Sequence, residues 1–371
     1  MLRDPLVTGW APSPPARPSR HQARPARHQE LTQDMSGDRP IPSTGPPPVG
    51  PSSMGPPAVG PSSMGPSATG GPVRGTAAGS AYLALPPTAV DARPATATRL
   101  VVVWPGLDPP RTAAALAAAV PLTGVPVWRV YLDLPLPDGR PSAGLGSGAF
   151  LESHGMEVYG AAVEQAVERL PAALADLRRD LGLPNGPIGL AGFSAGGAAA
   201  LLALARDVAP VSTAALVAPV VAPSRAARAL EKRAGRDRAW SDRARGLAER
   251  LDLGARAGEI AARGAALLLI GGAKDRVVPP SEITALRDLL RRHGGCTVES
   301  ATFRMGHALA AEPGAEARPP ITEAVRVDGV LGDWFRERVA EVDPRFGHGP
   351  PAEETRTDLR PVPAQVRAST S

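Results

Sequence analysis

From about residue 80 the chain alternates short, unbroken apolar runs with stretches whose apolar positions recur every three to four residues. That alternation is the pattern of a parallel sheet covered by helices. Strands are expected over residues 99–104, 126–132, 186–191, 213–218, 265–272 and 296–303. The first contains Leu100-Val101-Val102-Val103-Trp104 and shows no polar alternation, so both its faces are expected to be buried. Helices are expected over 111–119, 157–181, from 195 onward, over 281–293 and over 321–342. A Gly-rich loop through Gly144, Gly146 and Gly148 precedes the second helix, and residues 224–262 read as a helical insert that interrupts the alternation.

The two ends lack this periodicity. Residues 1–78 are crowded with Pro, Gly, Ser and Arg and contain a repeat, Val49-Gly50-Pro51-Ser52-Ser53-Met54-Gly55-Pro56, which recurs from Val59 to Pro66. Such a segment buries too little apolar surface to offset its ordering entropy and is expected to be a disordered arm. Residues 79–342 then form one α/β domain carrying a helical cap at about 224–262, and 343–371 form a disordered tail.

Charge sharpens this division. The arm carries seven Arg against four acids, residues 79–343 carry 30 basic against 29 acidic side chains, and the last 28 residues carry four Arg against three acids. The folded body is therefore nearly neutral, which argues against a dedicated nucleic-acid surface on it. Cys296 is the sole cysteine, so no intramolecular disulfide forms and no Cys-based metal site is expected. The start, Met1-Leu2-Arg3-Asp4-Pro5, has no apolar signal core, and no run of 18 apolar residues occurs. A cytoplasmic protein with no membrane partner is the expectation. Oligomeric state is not legible.

Candidate chemistry lies at strand ends. Gly192-Phe193-Ser194-Ala195-Gly196 follows an apolar strand and opens a helix, the setting of a nucleophile elbow. In a chain with 40 Gly the pentapeptide alone is not diagnostic, because a Gly-rich strand-to-helix turn also serves as a phosphate cradle. An activated serine needs a base and a group that orients the base. Asp275 follows the strand at 265–272 in Gly272-Ala273-Lys274-Asp275, and His307 follows the strand at 296–303 in Met305-Gly306-His307. Parallel strands end on one side, so the three loops are expected to converge. The backbone N–H groups of Ala195 and Leu107 are the candidate oxyanion donors.

These three motifs, in this order and over about residues 80–342, resemble those of the α/β-hydrolases, in particular the dienelactone-hydrolase and prolyl-oligopeptidase-like esterase branches. The resemblance implies an α/β-hydrolase fold, with Ser194 as nucleophile, His307 as general base and acid, and Asp275 as the orienting carboxylate. It also implies a cofactor-free serine hydrolase acting on a small ester-type substrate. One departure stands out: many relatives carry His-Gly at the oxyanion turn, where this chain has Trp104-Pro105-Gly106.

Other readings stay open on sequence alone. Asp275 is also a residue type that favours turns after strands. His154 lies upstream of the serine, against the chain order of this fold, but is a rival imidazole. Residues 224–264 hold 11 basic and six acidic side chains, either a lid that favours anionic substrates or a solvated face of Arg–acid pairs. Trp240, inside that insert, either packs it onto the body or lines an acyl pocket. A non-catalytic binding protein on this fold, or an interaction protein acting through its Pro-rich arm, remains an alternative function.

Overall fold

The computed structural model describes residues 70–89, 92–136 and 146–342, all within one compact unit, Ser62–Ser371. The expected arm lies outside the described residues up to residue 69, and the expected tail lies wholly outside them. Where description begins a strand already forms, β1 (Val73–Ala77), so the folded body starts inside the stretch read as arm.

β1 pairs antiparallel with β2 (Ser80–Leu85), and β2 pairs antiparallel with β5 (Trp128–Leu132). β5, β4 (Leu100–Trp104), β6 (Ile188–Phe193), β7 (Val211–Val217), β8 (Ala266–Gly272) and β9 (Val298–Phe303) continue as parallel neighbours in that order. A separate two-stranded ribbon joins β3 (Ala92–Pro94) to β10 (Ala340–Val342). β5 lies on one side of β4 and β6 on the other. The carboxyl ends of β4 and β6 therefore form a topological switch point, the crevice where ligands bind in open α/β sheets.

Within the unbroken apolar runs a period of two still sorts the side chains. Leu100, Val102, Trp104, Leu190, Leu216 and Leu269 face one layer; Val101, Val103, Ala191, Phe193, Val217 and Ile270 face the other. The first layer holds α2 (Ser153–Leu181), α3 (Ala195–Arg206) and α7 (Pro280–His293); the second holds α1 (Ala113–Ala119) and α8 (Thr322–Val339). α2 buries Met156, Val163, Val167, Leu170, Leu174 and Leu177, an i, i+3, i+4 stripe. It stops at Gly182, whose φ of +63° favours glycine and whose N–H reaches the carbonyls of Arg178 and Arg179. The helix begins four residues before the expected start, so His154 sits in its first turn rather than in a loop.

The insert between β7 and β8 is helical as expected: α4 (Pro223–Ala234), α5 (Asp242–Arg250) and α6 (Ala257–Ala261). Leu247 of α5 packs onto Gly160 of α2, where a Cβ would collide with it. Ile260 and Ala261 of α6 join the same buried cluster as α3, so α5 and α6 belong to the helical layer. Some of the insert's cations are paired, within it or with neighbouring elements: Arg225 with Asp252 and Glu282, Arg238 with Glu231, Arg256 with Glu259 and Arg263 with Asp207. Those pairs form a solvated face, while the segment as a whole keeps its excess of basic side chains. No helix among the described residues is long and apolar enough to cross a membrane.

Beyond β5, Asp133 is partly buried and accepts the N–H of Ala113 at the start of α1. Burial holds its carboxyl above the ordinary value, and the Ala113 bond offsets only part of that shift. A carboxyl raised in the folded state opposes folding wherever it is ionised, and ceases to do so below its unfolded pKa of about 3.9. Asp133→Asn keeps an acceptor for Ala113. Urea denaturation is expected to show a stability gain for the variant at about pH 7 that vanishes by about pH 3.

Candidate active site

β6 delivers the chain into Ser194 at φ +53° and ψ −111°, a conformation that a residue with a side chain adopts only when its surroundings enforce it. The enforcing contacts come from two glycines. A Cβ on Gly192 would overlap the backbone of Gly196, and a Cβ on Gly196 would overlap the Trp104 carbonyl at the end of β4. Their absence lets α3 start directly at Ala195 against the neighbouring strand. Gly106 serves the next turn in the same way: a Cβ there would lie 2.8 Å from the Phe193 ring and 3.1 Å from Ser194 Cβ. The Ser194 N–H also donates to the Val217 carbonyl at 2.9 Å, tying the elbow to the end of β7.

Asp275 and His307 sit on loops joined by backbone bonds. Ala273 N donates to Phe303 O at 2.8 Å, and Lys274 N donates to Met305 O at 2.9 Å. Gly272 permits this approach, since a Cβ there would be 2.7 Å from Met305 O. The loop carrying His307 is fastened in turn to the loop after β4, with Leu309 N donating to Pro109 O at 3.0 Å. The ends of β4, β8 and β9 are thus tied into one rim, beside the elbow that β7 holds.

On that rim the three predicted side chains meet. His307 Nε2 lies 2.9 Å from Ser194 Oγ, and His307 Nδ1 lies 2.8 Å from Asp275 Oδ2. Asp275 Oδ1 accepts the N–H groups of Val277 at 2.8 Å and Val278 at 2.9 Å, so the buried carboxylate has three donors. An anion buried in this way is affordable only because each lone pair aimed inward is met. The Phe193 ring packs at 5.3 Å from the imidazole centroid and limits its rotation. His307, not His154, is the imidazole at the serine.

A small cleft, open to solvent, adjoins Ser194. Leu107 and Ala195 both line it, on opposite sides of the elbow in sequence, and the Leu107 carbonyl accepts Arg111 Nε at 2.8 Å. Of the helical insert, only Ala226 of α4 is among its lining residues. Trp240 is not part of that lining: its Nε1 donates to the Phe150 carbonyl at 2.9 Å, and its ring stands edge-on to Phe150 at 6.2 Å. It packs the insert onto the body, behind a residue that does line the cleft.

Asp108, Phe150 and Tyr159 are among the lining residues that sequence reasoning missed. Asp108 directly follows Leu107, so the turn after the first strong strand was the signal that would have found it. Phe150 lies in the 3₁₀ turn Ser147–Leu151 just before α2 and Tyr159 in the second turn of α2, where no catalytic motif occurs, and only packing places them here. Among the described residues no group of three or more His, Cys, Asp or Glu side chains is arranged to hold a metal ion.

No protein-family model matches the chain, and no curated protein matches it. Solved structures do. TT1662 from Thermus thermophilus is 19% identical with a TM-score of 0.48, over 71% of this chain and 97% of its own. An acylaminoacyl peptidase from Pyrococcus horikoshii is 12% identical with a TM-score of 0.49, over 73% of this chain but only 42% of its own. Est1E from Butyrivibrio proteoclasticus is 13% identical with a TM-score of 0.43, over 72% of this chain and 99% of its own. The chain's own architecture carries the assignment of fold. A mostly parallel eight-stranded sheet between helical layers, a serine on a strained turn after β6, and an acid and a histidine after β8 and β9 make this an α/β-hydrolase fold.

Proposed function

We propose that this chain is a serine hydrolase that cleaves a carboxylic ester through an acyl-enzyme on Ser194. The observation that carries the reading is the continuous hydrogen-bonded series from Ser194 Oγ through the imidazole to Asp275, 2.9 and 2.8 Å long, at the switch-point crevice. A serine that merely cradled a phosphate would have no use for a buried carboxylate oriented on an imidazole behind it.

Each step follows from where protons reside. Neutral His307 takes the Oγ proton on Nε2 as the Oγ–C bond to the substrate carbonyl forms. Asp275 holds Nδ1 protonated and stabilises the imidazolium, without itself taking the proton. The oxyanion turns toward the N–H groups of Ala195 and Leu107, the former at the positive end of α3. The carbon–oxygen bond to the alcohol then breaks, and the Nε2 proton leaves on that oxygen. Water attacks the acyl carbon, gives one proton to Nε2, and the restored serine takes it back. The balance is ester plus water to acid plus alcohol. Thioesters and small amides fit the same sequence of steps, with sulfur or nitrogen receiving the proton.

Ser194→Ala is expected to abolish both turnover of short-chain p-nitrophenyl esters and labelling by a fluorophosphonate probe; retained turnover rejects the assignment. Asp275→Asn, which leaves His307 without an anionic partner and favours the wrong tautomer, is expected to lower kcat by roughly 10⁴.

A further inference from the structure

Two depressions on the molecule share the same pair of walls. The cleft at Ser194 is lined by Ala226 of α4 and by Val277 of the loop that carries Asp275. A second, shallow groove is lined by Ala229, Lys232 and Arg233, further along α4, and by Arg276 and Pro279 of that same loop. Ala226, Ala229 and Arg233 recur at i, i+3 and i+7, so they lie along one face of the helix. On the opposite wall Val277 is buried and Arg276 exposed. The backbone there is fixed, because Asp275 Oδ1 accepts the N–H groups of Val277 and Val278. The groove is thus an outward extension of the cleft, and from Ala226 to Arg233 the helix rises by about 10 Å.

Every formally charged residue lining this groove is positive: Lys232, Arg233 and Arg276. Among the described residues none of the three has a carboxylate partner. The acids on α4, on the Asp275 loop and in the first turn of α7 are committed elsewhere. Glu231 pairs with Arg238, Glu282 with Arg225, and Asp275 is buried against His307. Three cations converging without a counter-charge repel one another, and a ligand that brings two negative charges relieves more of that repulsion than one that brings a single charge. Two of the three are arginines, whose planar forks match the oxygens of a phosphate. A phosphate monoester carries about −1.5 to −2 charges near pH 7.

Under the hydrolase reading above, on which this inference rests, we propose that the groove of Lys232, Arg233 and Arg276 is a phosphate subsite, and that it selects esters whose chain ends in a phosphate monoester. The ester carbonyl sits at Ser194, the chain runs between α4 and the Asp275 loop, and the phosphate reaches the three cations. The excess of basic side chains in the insert then has a specific use at this end of α4, beside the triad acid rather than over the serine.

The test uses two ester pairs with chains long enough to span that rise: the monoacetate of octane-1,8-diol and ethyl 8-hydroxyoctanoate, each with its far hydroxyl free or phosphorylated. The first puts the phosphate on the alcohol side, the second on the acyl side. In the full-length wild-type chain kcat/KM is expected to favour the phosphorylated member of at least one pair by about tenfold at low ionic strength, the ratio falling toward one at about 0.5 M salt. Arg233→Gln and Arg276→Gln are each expected to lower that ratio about threefold, and together to bring it near one, while Lys232→Arg retains it. Arg243→Gln, which removes an exposed cation of α5 outside the groove, is expected to leave the ratio as it is. Ratios near one in both pairs overturn the proposal, as does an unchanged ratio in the double variant. An equal loss in Arg243→Gln overturns it too, because the preference would then belong to net charge rather than to this groove. Where turnover is too slow to read, calorimetric dissociation constants of the intact esters on Ser194→Ala make the same comparison, and equal affinities within both pairs reject the subsite. Cleavage of the esters by Ser194→Ala would instead reject the hydrolase reading itself.

Discussion

The site depends on a backbone constraint: Ser194 is held at a positive φ by strand ends packed too closely for any Cβ at Gly192 or Gly196. The same crowding that strains the serine presses the start of α3 against the Trp104 carbonyl, and so brings the turn after β4 to the nucleophile. Strain of this kind costs on the order of 1–3 kcal/mol and persists only where the surrounding fold over-determines it. Here the surrounding fold is the centre of a parallel sheet, with β6 flanked by β4 and β7 and every one of its residues buried.

From that fixed point the remaining geometry is a matter of loops fastened to one another. Bonds run from the Asp275 loop to the His307 loop, from the His307 loop to the turn after β4, and from the elbow to β7. Asp275 is further pinned by two backbone N–H groups on one oxygen, leaving the other for the imidazole. Preorganisation of this sort is what makes a general base useful, because little reorganisation is left for the moment of proton transfer. The cleft then adds what the three-residue series lacks: an apolar wall for the substrate and a carboxylate near the proton-donating nitrogen.

Much of this was legible in the sequence, for identifiable reasons. Buried parallel strands are continuous apolar runs, so Leu100–Trp104 and Ala266–Gly272 stood out, and motifs at their ends inherited a common side of the sheet. Ser194, Asp275 and His307 could be named because their order and placement are dictated by that topology. What failed to show was structure without a run or a period. β1 reads Val-Arg-Gly-Thr-Ala, mostly exposed, and is a strand only because β2 pairs with it; β3 and β10 are three residues each. The insert read correctly as helical, but whether it capped the site depended on packing: Leu247 settles onto Gly160, leaving α4 as the part that borders the cleft. Asp108 could have been found from its place directly after Leu107 in the turn that follows β4, but the backbone donor in that turn drew the attention instead.

The central claim is that the Ser194 oxygen becomes covalently bonded to substrate during turnover. Acid quenching of the wild-type protein while it hydrolyses a short-chain p-nitrophenyl ester, followed by peptide mass mapping, reads this directly. The account predicts an acyl increment on the peptide containing Ser194 and on no other. Steady turnover with that peptide unmodified at every quench time, or with the acyl group on a different residue, would contradict it.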